Sequence, residues 1–369
     1  MGNAKQQKLI GNLSVNGGLF LLCLIWTIPV IGLFFSSFRD RLDIQTTGWW
    51  TIFPHQTWNK VAEIDPRETG LDPDGVMEVR GVQGTFKEMR EGITSPDGTT
   101  QVIWIGNKRI GWIEVQEYIW TGGSWDFTLD NYNQVLGGKE FEYTNDDGTV
   151  EVIPGDNFWG SLLNSLAVAV PATVIPILIA AFAAYSFAWM TFPGRQWLFV
   201  IVVALLVVPI QIALVPVLTD YTRLGLNGTF LGVWLAHAGF GLPLATYLLY
   251  NYIRELPREM LESAFIDGAS HFTVFTRLVL PLSVPALASF AIFQFLWVWN
   301  DYLIALIILG GNRDTMVVTM RLANMVGSRG NDWHLLTAGA FVTMILPLAV
   351  FLSLQRYFVR GIMAGSVKG

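Results

Sequence analysis

Six apolar runs divide the chain, near residues 14–37, 161–190, 196–217, 228–250, 284–310 and 334–358. A helix needs roughly 20 apolar residues to cross a bilayer, so the pattern predicts six transmembrane helices. Pro29, Pro171, Pro176, Pro209, Pro243 and Pro347 lie inside these runs. Packed membrane helices tolerate proline, because neighbours satisfy the freed backbone groups. Two polar stretches interrupt the apolar text. They set three divisions: residues 1–38, with the N-terminus and first span; an insert over 39–158; and a helical membrane core over 159–369.

The insert has the texture of β structure. Val102-Ile-Trp104-Ile, then Gly106-Asn107, then Ile110-Gly-Trp112-Ile reads as a hairpin. Phe141-Glu-Tyr143-Thr, then Asn145-Asp146-Asp147-Gly148, then Val150-Glu-Val152-Ile reads as another. Turn pairs between alternating strands are good hairpin signals. Asp74-Gly75 and Asp97-Gly98 mark further turns. Seven tryptophans fall here: Trp49, Trp50, Trp58, Trp104, Trp112, Trp120 and Trp125. Two compatible readings stay open. The rings fill the insert's own core, or they form a docking surface for an extracytoplasmic partner.

The second polar stretch lies between the fourth and fifth runs. Pro257 suits the first position of a helix. Met260, Leu261, Ala264 and Phe265 fall on one face at helical spacing. Glu259 and Glu262 lie on the other side, in the first turns, where negative charge suits the helix dipole. Gly268 is placed to end that helix in a left-handed cap. Ser270 can cap a second helix, with Phe272, Phe275, Leu278 and Val279 as its apolar stripe. Pro281 and Pro285 limit how this helix runs into the fifth span. The pattern predicts a helix, a tight glycine turn and a second helix. A connector lying on lipid is the bland alternative. Such helices carry Lys and Arg on the polar face, whereas this one carries glutamates.

Composition fits a membrane protein. The 369 residues are 52% hydrophobic and 14% charged, against about 25% charged in soluble domains. Leu19 to Phe35 is long for a signal peptide and is expected to stay as a span. A lone Cys23 excludes an intrachain disulfide. With an inside N-terminus, nine Lys and Arg fall on the inner side and four in the short outer loops. That bias places both termini, and the 257–283 elbow, in the cytoplasm. The insert then lies outside, with ten basic and twenty-one acidic residues. No span carries an Arg or Lys run, so a voltage sensor is excluded. No phosphate-cradling loop of the Gly-x4-Gly-Lys-Ser/Thr type occurs. His-Glu-x-x-His, Cys/His clusters and Gly-x-Ser-x-Gly are also absent.

Glu262-Ser263-Ala264, three residues, Gly268, nine residues, Leu278, one residue, Leu280-Pro281 resembles the coupling motif of ABC importer permeases. The family pattern is Glu-Ala-Ala, three, Gly, nine, Ile, one, Leu-Pro. Ser263 replaces an alanine and Leu278 an isoleucine. Asp267 before Gly268 also fits. Phe192-Pro193-Gly194-Arg195 and Leu224-Gly225-Leu226-Asn227 look like carbohydrate permeases of this type. The tail, Gln355-Arg356-Tyr357 through Ala364-Gly365-Ser366-Val367-Lys368-Gly369, resembles that of the six-span maltose-system subunit. Ser36-Ser37-Phe38-Arg39 and Gly48-Trp49-Trp50 give the text a look similar to permeases for α-glucosides. The resemblance covers residues 14–50 and 126–369; the 51–125 region is longer than in the maltose subunit.

The resemblance implies an all-α membrane protein of the type I importer permease fold, with six spans and a β-rich extracytoplasmic insert. It implies a multi-pass permease in a bacterial inner membrane, forming half the pore of a binding-protein-dependent sugar importer. The implied partners are an ABC ATPase homodimer, a second homologous permease in a heterodimer, and an extracytoplasmic sugar-binding protein, with no nucleic acid. ATP and Mg would be used by the ATPase, and no cofactor or metal would be bound by this chain. Glu262, Ala264, Asp267, Gly268, Leu280 and Pro281 would couple to the ATPase, and Gly365, Ser366 and Lys368 of the tail would contact it. For the sugar path, aromatic faces beside hydrogen-bonding groups are the required chemistry. Gln294, Trp297, Asn300 and Asp301 are the candidates. The alternative places Asp301 in loop folding and Trp297 and Trp299 in an interfacial aromatic belt. Gln211 and His237 are expected to hydrogen-bond between helices. Two rival classes remain: an ion-coupled secondary transporter, and a non-transporting receptor that uses the insert.

Overall fold

The computed structural model describes residues 2–138, 141–144, 150–153, 158–328 and 332–364. The chain forms two compact units, residues 1–35 with 42–127, and residues 36–41 with 128–369. The turn at Asn145–Gly148 and the tail residues Gly365, Ser366 and Lys368 lie outside the described residues.

The first unit begins with helix α1, Gly2–Ser37. Its residues Ile10–Ser37 are long and apolar enough to cross a membrane. Strand β1 (His55–Ile64) follows, then β2 (Val76–Val79), β3 (Val82–Thr85), β4 (Ile93–Thr94), β5 (Thr100–Ile105) and β6 (Trp112–Thr121). Four of them form an antiparallel sheet in the order β1-β6-β5-β4, and β2 and β3 pair separately. The core beneath holds Met77, Val79, Val82, Met89, Val102, Trp104, Ile113 and Val115. Of the seven tryptophans only Trp104 enters it, so the rings do not fill the interior. The connection from β5 to β6 is also longer than the expected Gly106-Asn107 turn. Ile105 pairs with Trp112 across a six-residue loop. There the Trp104 indole donates to the Asn107 carbonyl at 3.3 Å, and Gly106 turns with φ +90°. The loop closes as a helical turn, Gly111 N–H to Asn107 O at 2.7 Å. Short helices are capped locally. Asp65 caps Pro66–Thr69, and the Arg67 guanidinium and backbone N–H beside it hold its carboxyl down to about 2. Thr85 and Glu88 form a capping box.

The second unit is helical. Helix α2 (Asp130–Gly137) is tied to the 36–41 segment by Asn131, whose Nδ2 donates to the Ser37 and Arg39 carbonyls, each at 2.9 Å. Strands β7 (Phe141–Thr144) and β8 (Val150–Ile153) pair with Phe141 opposite Ile153. The remaining α-helices of four or more residues are α3 (Phe158–Trp189), α4 (Arg195–Ala204), α5 (Ile210–Arg223), α6 (Phe230–Arg254), α7 (Arg258–Ile266), α8 (His271–Val274), α9 (Val284–Asn300), α10 (Leu303–Leu309), α11 (Val318–Ser328) and α12 (Trp333–Ala364). Small residues let α3 and α6 approach closely: Ala169, Ala172, Ala180, Ala181 and Ala184 face Ala236 and Ala245 in two clusters. Trp234 donates to Ala167 O at 2.8 Å and Trp189 to Ile253 O at 3.1 Å, at opposite ends of the pair.

Among the described residues, four helices are long and apolar enough to span a membrane, or up to six if each of two bent pairs is one span. One bend, of 104°, breaks the expected 196–217 span. Its cause is Pro209, which has no N–H and pushes Val208 to an extended ψ of 118°. The other, of 70°, precedes α9. The expected 284–310 span also breaks, because the helix stops at Asn300 and Asp301 is extended.

Candidate functional site: a helical elbow and an intramembrane polar cluster

The elbow is built as two helices around one glycine. Pro257 stands just before α7 at the N-cap, one position ahead of the expected place. Gly268 has φ +83°, a region that L side chains avoid. Its N–H bonds the Phe265 carbonyl at 3.0 Å, and the Ala269 N–H bonds that of Ala264 at 3.0 Å. This is the two-bond Schellman closure of a helix end. A Cβ at Gly268 would meet no atom within 4 Å, so the backbone alone demands glycine. Ser270 Oγ then accepts from the Thr273 N–H at 3.2 Å and starts α8.

One face of the elbow is anchored. Leu261, Val274, Phe275 and Val279 are buried with Ala180, Ala184 and Tyr185 of α3 and with Leu249 and Ile253 of α6. Phe275 lies 4.3 Å from the Phe182 ring and 5.4 Å from that of Tyr185. The Tyr185 hydroxyl and His271 Nδ1 share a hydrogen bond of 2.9 Å. Neither Tyr185 nor His271 stood out in the sequence, because the pair is brought together across 86 residues of chain. The opposite face is open. Glu262 and Asp267 are exposed, and Glu262 lies 3.8 Å from Arg258 one turn back. Ile266 is 86% and Phe272 67% exposed, so Phe272 leaves the stripe expected for it. Ala264 and Leu280 are half-buried and Pro281 exposed.

Beyond α8 the backbone widens into a π turn over Phe275–Val279. Such turns hold one extra residue and often mark functional positions. The Ser283 hydroxyl follows, buried and with no hydrogen-bond partner, at the 70° bend into α9.

The second region lies along α9. Buried Gln294 donates to the carbonyls of Ala172 at 3.1 Å and His237 at 3.3 Å, tying α3 to α6. Gly241 makes room for it, since a Cβ there would stand 2.5 Å from the Gln294 amide oxygen. Trp297 meets the His237 ring edge-on at 5.1 Å. The His237 Nε2 is 3.6 Å from Asp301 Oδ2, and neither ring nitrogen has a hydrogen-bond partner. His237 thus makes no bond between helices through its ring. Asp301 Oδ2 accepts from the Ala305 N–H at 3.1 Å, and its carbonyl accepts from Thr319 Oγ1 at 2.7 Å. Asp301 therefore folds the turn into α10. Asn300 is exposed and bonds only within its helix, to Leu296 O at 2.7 Å. Trp299 is buried and donates to Thr343 O at 3.1 Å, which places it in the core rather than in a belt. Gln211 is exposed on α5. Gln294 and Trp297 line a cavity of about 460 Å³ with Tyr221, Phe240 and Pro243. It is mostly apolar with few polar groups, the usual make-up of a small-molecule site.

Long apolar helices, with an exposed helical elbow between two of them, are the setting of both regions. Residues 163–364 match the family described as binding-protein-dependent transport system inner membrane component, and the chain belongs to it. It is similar to the osmoprotective compounds uptake permease protein GgtD of Synechocystis sp., 48% identical over 96% of this chain and 92% of that one. It is 46% identical to the alpha-glucoside transport system permease protein AglG of Rhizobium meliloti, over 96% and 97%. The arabinooligosaccharides transport system permease protein AraQ of Halalkalibacterium halodurans is 32% identical over 58% and 75%. The chain is a multi-pass membrane permease rather than an enzyme, and the ATPase is a separate subunit.

Proposed function

We propose that this chain is half the pore of an ATP-driven importer for α-glucosides or related oligosaccharides. The observation that carries this reading is the elbow: one face packed on α3 and α6, the other offering Glu262, Ile266 and Phe272. A two-subunit ATPase grips that open face, and its ATP- and Mg-dependent closure moves the elbow. Glu262 meets it through charge-assisted hydrogen bonds, while Gly268 fixes the angle between the helices. Ala264, Asp267, Leu280 and Pro281 complete the coupling surface, and the tail residues Gly365, Ser366 and Lys368 reach the same partner.

Six spans, both termini in the cytoplasm and the 39–158 insert outside give the arrangement its polarity. Each bent pair then counts as one span. A sister permease completes the pore, and a sugar-binding protein delivers substrate on the side of the insert. The cavity bounded by Gln294 and Trp297 supports a sugar path through this subunit, and Asn300 and Asp301, which follow on the same helix and its end, are the further candidates for that path. The near full-length similarity to AglG favours an α-glucoside. Crosslinking from Ile266→Cys, in a Cys23→Ser background, tests the elbow. An active importer that never yields a permease–ATPase product from this position would refute the reading.

A further inference from the structure

We infer that the base of the 42–127 unit is embedded in the lipid–water boundary, anchored by four aromatic side chains. Residues 44–58 and 118–125 contain no Asp, Glu, Lys or Arg, although the 39–158 insert carries twenty-one acidic and ten basic residues. The fold brings these two charge-free segments together. Strands β1 and β6 lay Trp58 opposite Tyr118, Gln56 opposite Trp120 and His55 opposite Thr121. Past the end of that ribbon, the Ser124 N–H donates to the Thr51 carbonyl at 2.9 Å. Gly123 packs so tightly on the Ile52 carbonyl that no Cβ fits.

This seam packs on the last turns of α1. The Trp49 indole covers Gly32, where a Cβ would stand 2.6 Å from the ring nitrogen. Phe127 stacks on Phe35 with centroids 6.0 Å apart, and Trp125 meets Phe127 edge-on at 5.7 Å. Both segments therefore sit beside the C-terminal end of the candidate span Ile10–Ser37. At that level Trp50 is 60%, Phe53 53%, Trp120 69% and Trp125 61% exposed. The unit's aliphatic core lies under the other end of the sheet and does not use them.

Lipid is the occupant that fits. Indole rings combine an apolar body with one donor, which suits the headgroup level. Segments 44–58 and 118–125 bring no charge to desolvate, and Asp126, between Trp125 and Phe127, is the one carboxylate within the aromatic run 125–127. Water would leave four large rings bare beside a span for no gain.

Spin-label accessibility tests this in the complete importer, reconstituted in phosphatidylcholine nanodiscs, with Cys23→Ser as background. Trp50→Cys, Phe53→Cys, Trp120→Cys and Trp125→Cys are labelled one at a time. Val76→Cys and Ile110→Cys, exposed positions outside the seam, serve as controls. The expected result is a ratio of oxygen to nickel-chelate collisions above one at the four seam positions and below one at the controls. A ratio below one at the seam means water covers it and overturns the inference. Low collision rates with both reagents mean another subunit covers it, which overturns it equally. Measuring uptake in each labelled variant keeps misfolded samples out of the comparison. The readout needs no sugar, so it stands or falls apart from substrate choice.

Discussion

Two turns in the second unit solve the same problem in opposite ways. At 267–269 the chain reverses through a left-handed Gly268, closed by backbone hydrogen bonds and with open space around the glycine. At 300–303 it restarts a helix through a side chain: Asp301 caps α10 and faces His237, while its carbonyl is held by Thr319. The first turn is fixed by backbone geometry and leaves its outer surface free for a partner. The second is stitched to three neighbouring elements and has little freedom to move. A lever needs the first kind of turn, and a framework needs the second. The contrast predicts which substitutions disturb transport and which disturb stability.

Gly268→Val should give the largest effect. A side chain in the left-handed region costs about 1–2 kcal/mol, more when β-branched. Uptake should fall roughly tenfold or more, since 1.4 kcal/mol is a factor of ten, while the permease still inserts in the membrane. Gly268→Asn should keep most uptake, because asparagine tolerates this conformation. Uptake and ATP hydrolysis by the purified complex read both variants. Equal damage from Val and Asn would mean that the angle is not what matters.

Asp301→Ala should act on stability instead. It removes the oxygen that accepts from the Ala305 N–H at the start of α10, at a cost of about 1–3 kcal/mol. Asp301→Asn keeps an oxygen for the Ala305 N–H and should melt close to the parent. If Asp301→Asn melts normally yet loses uptake, the carboxylate belongs to the sugar path as well as to the turn. Gln294→Leu should cost about 1 kcal/mol, the scale of hydrogen bonds between membrane helices. Gly241→Ala should compete for the same space. Thermal melting in detergent, beside the substrate dependence of uptake, separates tying from binding: a higher KM at unchanged stability would assign Gln294 to the sugar.

The difference between the turns also explains what the chain made legible. Gly268 could be read because a backbone demand falls on one residue, and Ser270 and Pro257 mark the helix starts on either side. The buried stripe of Leu261 and Phe275 followed from helical spacing. The role of Asp301 was only half legible: an ionisable group in an apolar run is conspicuous, but its partners come from residues 237, 305 and 319. Pro209 was visible, yet its 104° bend was not, since the neighbours decide whether a proline is absorbed or breaks the helix. The insert's tryptophans misled for a related reason. Their number suggested a core, while burial went to aliphatic residues and Trp104. Apolar composition does not say which side of a ribbon faces lipid, water or protein.

The smallest effect is expected where the elbow meets the framework. The Tyr185 hydroxyl bonds His271 at 2.9 Å, beside ring contacts that survive its removal. Tyr185→Phe should therefore cost about 0.5–1.5 kcal/mol, the net worth of one hydrogen bond. It should leave insertion and the Gly268 turn intact. If the bond carries motion from the elbow into α3, the loss appears as fewer sugars taken up per ATP hydrolysed, at a normal hydrolysis rate. If it only steadies the fold, the melting point drops and that ratio stays constant. His271→Ala, which removes the same bond and the Phe265 contact, should shift the same quantity further in the same direction. Opposite shifts in the two variants would show that ring packing, rather than the hydroxyl, joins the lever to the membrane helices.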